Sequence, residues 1–254
     1  MHLLPLENGI NFRDMGGIQT KSGAKIKTGV LLRSGMLTHL TSKDCQFLAN
    51  NIGLRTILDY RDKNEIEKKP DKLWSGVDYY PIAANPLSHE VSANITEAIR
   101  SNRHDHNSGT AFMIRLYEQL PFANPAYKKL VSLLLESEIK PMVQHCAVGK
   151  DRTGVGCALT QLALGVDEDT VMQDYLLTEE TLTPFRETML ANLAPTISST
   201  EFAFQQALFA AKEVYLMSGL RAIKQKYQTI DCWLEVEYGL TLARREHLQH
   251  KYLA

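Results

Sequence analysis

The stretch that most constrains this chain runs Val143-Gln144-His145-Cys146-Ala147-Val148-Gly149-Lys150-Asp151-Arg152-Thr153-Gly154-Val155-Gly156. An apolar, β-like run ends at a histidine and a cysteine, a short loop with one glycine follows, and a small-residue helix begins. Five residues, Ala147 to Asp151, separate Cys146 from Arg152. A loop that tight can curl its backbone N–H groups, those of Ala147, Val148, Gly149 and Lys150 among them, around one tetrahedral anion. Cys146 would lie beneath that anion. A helix N-terminus and a neighbouring cation favour the thiolate, the nucleophilic form of cysteine, so Cys146 is the expected nucleophile. Arg152 offers a planar fork of donors that can hold two oxygens of a transferring phosphoryl group, a geometry lysine cannot reproduce. Thr153 stands where its hydroxyl could reach the sulfur, and His145 where it could fix the conformation around the cysteine.

Other loops of similar composition are excluded. Lys150 is followed by Asp151 rather than Ser or Thr, and no glycine stands five before Gly149, so this is not a nucleotide-type phosphate loop. Cys45, Cys146, Cys157 and Cys232 show no paired ligand spacing for zinc. Neither a metal nor an organic cofactor is expected.

The rest of the chain alternates strand and helix. Buried strands are read at Gly29 to Ser34, Leu54 to Asp59, Val77 to Ile82 and Lys140 to His145. A helix from Thr41 to Asn51 opens on Thr-Ser-Lys-Asp, close to a capping box. Further helices are read from Pro125 to Ser137, Val155 to Leu164, Val166 onward, Ser199 to Tyr227 and Thr241 to Tyr252. The expectation is an α/β fold with a mainly parallel central sheet flanked by helices. Ligands in such sheets bind beyond the carboxyl ends of the strands, where Asp59 to Arg61 and His145 to Arg152 both fall. Asp59 reads as a general acid or as a strand-end anchor, and Arg61 as a loop-positioning or substrate-rim residue. The paired glycines after Asn11-Phe12-Arg13-Asp14-Met15 mark a tight turn; Arg13 and Asp14 could pair there, and Arg33 could bridge to an acid such as Asp14. Residues from Asn85 to about Gly109 are polar, and Ser101 to Gly109 reads as a mobile loop between two helices and as the candidate lid, where His104, Asp105 and His106 alternate as a metal ligand set or as solvated loop residues. Cys157, on the apolar helix after the loop, reads as core or as a resolving cysteine.

His-Cys-x-x-Gly-Lys-Asp-Arg-Thr-Gly resembles the signature of cysteine-dependent phosphatases, in the form found in the bacterial tyrosine-phosphatase family with phosphoinositide activity. Asn11-Phe12-Arg13-Asp14-Met15-Gly16-Gly17 is similar to that family's N-terminal element, and Leu32-Arg33-Ser34, Leu58-Asp59-Tyr60-Arg61 and Asp174-Tyr175-Leu176 follow in the expected order. Thr178 stands where the family usually has Ser. The resemblance implies a cysteine-phosphatase-like fold in a single domain over 1–254, with a helical lid insertion at about 85–120 and a helical C-terminal region at about 165–254. It implies a protein-tyrosine phosphatase, with dual specificity or phosphoinositide hydrolysis as alternatives, acting through a cysteinyl-phosphate intermediate on a phosphorylated protein or phosphoinositide substrate. Asp151 and Asp59 both remain candidates for the acid that protonates the leaving oxygen. Lys150 would add a mobile point charge at the loop rim, within reach of a second phosphate.

With 28 basic and 29 acidic residues the net charge is −1, so no global field draws the chain to nucleic acid or to an anionic membrane. No stretch approaches the roughly 18 uninterrupted apolar residues of a membrane span, and the start carries no signal-peptide pattern. Single, scattered cysteines and a thiolate nucleophile suit a reducing cytoplasm, with export lacking a cleaved signal still open. Two rivals share parts of this pattern. A sulfurtransferase would also use a cysteine in a five-residue loop, but Arg152 at the loop end matches a dianionic phosphoryl group. A non-catalytic phosphate-binding module would have no need for intact Cys146, Asp151 and Arg152 together.

Overall fold

All four β-rich runs become strands, each shorter than its apolar stretch. The structure, a computed structural model, describes residues 2–86 and 108–254; the histidines and aspartate expected in a lid, His104, Asp105 and His106, lie outside the described residues. Six strands, β1 (His2–Leu3), β2 (Arg13–Asp14), β3 (Leu31–Ser34), β4 (Thr56–Asp59), β5 (Asp78–Pro81) and β6 (Met142–His145), form one sheet in the order β1-β2-β3-β6-β4-β5. The four strands β3, β6, β4 and β5 are parallel, and β1 and β2 extend the sheet antiparallel. Side chains alternate across a strand. Leu31, Leu58 and Met142 enter the larger core on one face, while Leu32, Ile57 and Val143 enter the smaller one on the other. Covering both faces is what a parallel sheet requires.

Register decides where chemistry can happen. Ser34 pairs with His145, His145 with Asp59 and Asp59 with Pro81, so the carboxyl ends of all four parallel strands share one edge. The loop at Cys146 leaves from that edge, flanked by Gly35 and Tyr60.

The helices are α1 (Ser42–Gln46), α2 (Lys63–Lys68), α3 (Ser108–Gln119), α4 (Pro125–Leu134), α5 (Asp151–Ala163), α6 (Glu168–Thr181), α7 (Thr183–Leu193), α8 (Ser199–Phe209), α9 (Glu213–Tyr227), α10 (Ile230–Tyr238) and α11 (Leu242–Tyr252). Thr41 and Asp44 form the capping box expected at the start of α1, which continues as a π-helical stretch, Phe47–Ile52. The long helical pattern expected from Ser199 to Tyr227 divides at Ala210, whose extended backbone (φ −73°, ψ 143°) ends α8. That break leaves carbonyls free at the end of α8, and the site uses them. No helix among the described residues is long and apolar enough to cross a membrane.

Helix α5 lies close against the sheet because small residues face it. A methyl group at Gly156 would sit 2.8 Å from the Tyr60 hydroxyl and would crowd Gln144 Oε1. The Tyr60 hydroxyl donates to that same oxygen (2.8 Å) in the buried interior. Gly156→Ala should therefore lower stability by about 1–3 kcal/mol through overpacking, read as a lower urea midpoint; an unchanged midpoint would show that the helix can simply shift outward.

Candidate active site

Gly149 sits at φ +70°, and a Cβ there would collide with the Ser34 carbonyl and lie 2.7 Å from Gly35 N. Only glycine fits that turn. The loop carbonyls on either side of it are all drawn outward. Ala147 O accepts from the Met36 N–H (3.1 Å), Val148 O from Asn11 Nδ2 (3.3 Å), and Gly149 O from Asn11 Nδ2 and Arg33 Nη2 (2.9 Å each). In a trans peptide the N–H of the next residue points opposite to the carbonyl. The N–H groups of Val148, Gly149 and Lys150 are thereby turned toward the inside of the loop, ahead of the N-terminus of α5. That is a preformed anion cradle. Asn11 reaches it from a left-handed backbone (φ +50°), which asparagine tolerates better than most residues, and Thr181 Oγ1 donates to its Oδ1 (2.6 Å).

Arg13 and Arg33 face each other across the β2–β3 ladder, so their like charges need an anion between them. Asp174 of α6 supplies it, rather than Asp14. Asp174 Oδ2 accepts from Arg33 Nη1 (2.8 Å) and Gln161 Nε2 (2.6 Å), and its Oδ1 lies 3.5 Å from Arg13 Nη2. Thr178, in place of the family's serine, keeps the hydroxyl, which accepts from Arg13 Nη2 (3.3 Å) and Arg33 Nη2 (3.4 Å). Burial and then the charge of Arg33 lower the pKa of Arg13 to about 9, with Asp174 opposing the shift. Asp14 instead accepts from the Gly16 and Gly29 backbone N–H groups (2.8 and 2.7 Å) and braces the turn.

Asp59 and Arg61 are buried, not at a rim. Arg61 donates to both Asp59 oxygens and to Asp71 Oδ2 (2.6 Å), and Tyr79 donates to Asp59 Oδ2 (2.7 Å). Burial raises the Asp59 pKa, but His145 and the Arg61 hydrogen bonds outweigh it and hold the carboxyl down at about 2. Asp59, Asp71 and His145 bring ligand-type atoms within 4.8 Å of one another, with the Arg61 guanidinium bonded to both carboxylates. The group is a charge network beneath the loop. His145 Nδ1 lies 3.3 Å from Cys146 O, so the residue before the cysteine is tied to the backbone that carries it.

A cleft of about 490 Å³ opens over Cys146 and is lined by Ala147, Val148, Asp151 and Arg152 on one side and by Phe112, Met113, Leu116, Leu208 and Phe209 on the other. Asp59 is not among its lining residues. Arg152 pairs bidentately with Glu65 of α2 (Nη1 2.6 Å, Nη2 2.9 Å), and its Nη1 also donates to Tyr60 O (3.3 Å). Those partners take the Nη1–Nη2 edge, so the Nε–Nη2 edge is the one that can address two phosphoryl oxygens. Burial would raise the Glu65 pKa, yet hydrogen bonds and charge from Arg152 hold it below the ordinary carboxylate range. Glu65 was not singled out from the sequence; its signal is Asp62-x-x-Glu65, a helix-start pattern in which Glu65 Oε2 accepts from the Asp62 N–H (2.8 Å).

Lys150 is not a mobile charge at the rim. Its ammonium is fully buried and bonded to the carbonyls of Leu208 and Ala210 (2.8 Å to the latter) at the end of α8, with Asp151 Oδ1 3.2 Å away. An ammonium buried that deeply needs acceptors on all its donors, and the C-terminal end of a helix favours a cation. Asp151 pairs with neither Arg13 nor Arg33; its Oδ1 accepts from Tyr117 (2.7 Å). Thr153 Oγ1 is buried and has no hydrogen-bond partner among the described residues, Cys146 Sγ included. Cys157 is a core residue whose thiol burial pushes up to about 12.

A buried cysteine under an amide cradle, closed by an arginine and fronted by an acid, defines the class: a cysteine-dependent phosphoric monoester hydrolase. The model of the tyrosine phosphatase family matches residues 4–254, and the chain belongs to that family. It is 27% identical over 255 residues to a protein of Cupriavidus necator assigned as a tyrosine-protein phosphatase, covering 100% of this chain and 89% of that one. It is 25% identical over 264 residues to the triple specificity protein phosphatase PtpB of Mycobacterium tuberculosis, covering 92% and 93% of the two chains. Among solved structures, the core catalytic domain of the PP-IP phosphatase SIW14 from S. cerevisiae aligns over 92% of this chain and 98% of its own, at 14% identity and a TM-score of 0.37.

The Arg152–Glu65 pair yields a direct expectation. Glu65→Gln keeps the side-chain length but loses the charge that aims Arg152, and misplacement by about 1 Å costs up to ~100-fold. Turnover of an aryl phosphate should fall by about 10- to 100-fold with the thermal midpoint little changed. Wild-type turnover would show that the loop alone orients Arg152.

Proposed function

We propose that this protein-tyrosine phosphatase works with Cys146 as nucleophile, Arg152 and the amides of Val148, Gly149 and Lys150 as phosphoryl holders, and Asp151 as general acid. Cys146 Sγ attacks phosphorus as the bond to the tyrosyl oxygen breaks, and Asp151 gives its proton to that oxygen. Asp151 then takes a proton from water, whose oxygen displaces Sγ to release inorganic phosphate. Positioning and charge stabilisation account for most of the acceleration in phosphoryl transfer. The observation that carries the choice of acid is placement: Asp151 lines the cleft beside Cys146 and Arg152, whereas Asp59 is fully buried with both oxygens committed. Asp59, Arg61, His145, Arg13 and Arg33 act as supports of the loop, and Asp14 as a brace of the N-terminal turn.

The apolar side of the cleft, made by Phe112, Met113 and Leu116, suits a phenyl ring and favours phosphotyrosine. Activity on other phosphoprotein residues is consistent with kinship to PtpB, named as a triple specificity enzyme. A phosphoinositide headgroup would have to be met by the exposed Lys68, which also lines the cleft, because Lys150 is committed. In this proposal residues 1–254 act as a single phosphatase domain. The enzyme would work in a reducing cytoplasm, where the four free cysteines stay reduced.

Phosphate release should be measured on phosphotyrosine, phosphoserine and phosphothreonine peptides and on phosphoinositides. Cys146→Ser should lower turnover on every substrate by several orders of magnitude. Asp151→Asn should lose far more activity on phenyl phosphate than on 4-nitrophenyl phosphate, whose leaving group barely needs a proton. Appearance of that selectivity in Asp59→Asn instead would transfer the acid to Asp59.

A further inference from the structure

We propose that Tyr117 is the positioning residue that sets the working geometry of the proton donor, with Lys150 as a second support. The inference rests on Asp151 being the general acid. Among the described residues both contacts of the Asp151 carboxylate go to Oδ1: the Tyr117 hydroxyl at 2.7 Å and the Lys150 ammonium at 3.2 Å. A phenol has one proton. Tyr117 gives it to the carboxylate, which can only accept, so the 2.8 Å contact between Tyr117 and Tyr175 must run from the Tyr175 hydroxyl to the Tyr117 oxygen. The chain is directional: Tyr175 O–H to Tyr117 O–H to Asp151 Oδ1.

Tyr117 is fully buried, and burial, followed by the charge of Asp151, raises its pKa well above that of a free phenol. It therefore stays protonated and serves as a fixed donor, not as the acid. With Oδ1 held from the protein side by two donors, Oδ2 is the oxygen left to carry the transferable proton into the cleft that Asp151 lines. The supports also connect the acid to the substrate side of the cleft. Tyr117 belongs to α3, whose Phe112, Met113 and Leu116 line it, and Lys150 is bound at the end of α8, whose Leu208 and Phe209 line it too. The two helices that would flank a substrate ring are thus the ones that aim the proton donor at its oxygen.

A purely packing role for Tyr117 makes a different prediction, because its ring also contacts Tyr175 and Tyr215 (centroids 6.0 Å each) and Tyr117→Phe keeps that ring. The test measures kcat/KM on phenyl phosphate and 4-nitrophenyl phosphate for wild type, Tyr117→Phe, Asp151→Asn and the double variant. A hydrogen bond to a charged group contributes about 1.5–3 kcal/mol, or roughly 10- to 100-fold. Tyr117→Phe should lose about tenfold or more on phenyl phosphate and little on the nitrophenyl ester, and should add nothing to the leaving-group ratio in the Asp151→Asn background. Tyr175→Phe removes only the donor to Tyr117 and should show the same signature more weakly; it carries the test if Tyr117→Phe does not fold. Equal losses on both esters, beside a selective Asp151→Asn, would overturn the positioning role and leave Asp151 as the acid. A non-selective Asp151→Asn would overturn both assignments.

Discussion

Three carbonyl groups pointing the wrong way for a helix hold this site together. Ala147, Val148 and Gly149 each present a carbonyl to the outside of the loop, where Met36, Asn11 and Arg33 bind them, and their following N–H groups have no choice but to face inward. An anion cradle formed in advance needs no reorganisation when charge develops on the phosphoryl oxygens, which is where electrostatic catalysis gains most. The surrounding fold can be read as support for those three bonds. The parallel sheet brings Ser34 and His145 to one edge, so that Gly35 and Met36 run beside the loop, and β2 delivers Asn11 and Arg13 to the same neighbourhood.

Support of this kind is costly in charge. Arg13 and Arg33 lie side by side in the sheet, and burying two guanidinium groups is tolerable only with matched acceptors. Asp174, Thr178 and Thr181 provide them for the terminal nitrogens, and Gln161 in turn donates to Asp174, so helices α5 and α6 are fastened to the strand that holds the loop. On the other side, Asp59, Asp71, Arg61 and His145 form a second buried network under Cys146. Cys146 thus stands between two buried charge clusters, while Arg152 and Asp151 line the cleft together with Glu65 and Lys68.

Local patterns made part of this legible before any coordinates. Cys146 and Arg152 lie six positions apart on one loop, and the β-rich runs feed the loop in order, so the parallel sheet and the meeting of both residues at its carboxyl edge could be read directly. Partner choice could not. Arg33 meets Asp174 from 141 residues away, and nothing near Arg33 in sequence distinguishes that partner from Asp14. Lys150 reads as a mobile cation at the loop rim until the break at Ala210 places two carbonyls beside it, and Tyr117 falls within the stretch read as a lid insertion, with nothing local to mark its contact with Asp151. Strands β1 and β2 are two residues long each, too short for an alternating pattern to show.

The central claim, that the loop is a cradle set by its outward carbonyls, is tested most directly by a crystal structure of the Cys146→Ser protein with a bound phosphotyrosine peptide. The account predicts phosphoryl oxygens on the N–H groups of Val148, Gly149 and Lys150 and on the Nε–Nη2 edge of Arg152. Glu65 should remain on the opposite edge, and the three carbonyls should stay bound to Met36, Asn11 and Arg33. A carbonyl of Ala147, Val148 or Gly149 turned into the loop, or a phosphoryl group seated away from residue 146, would contradict it.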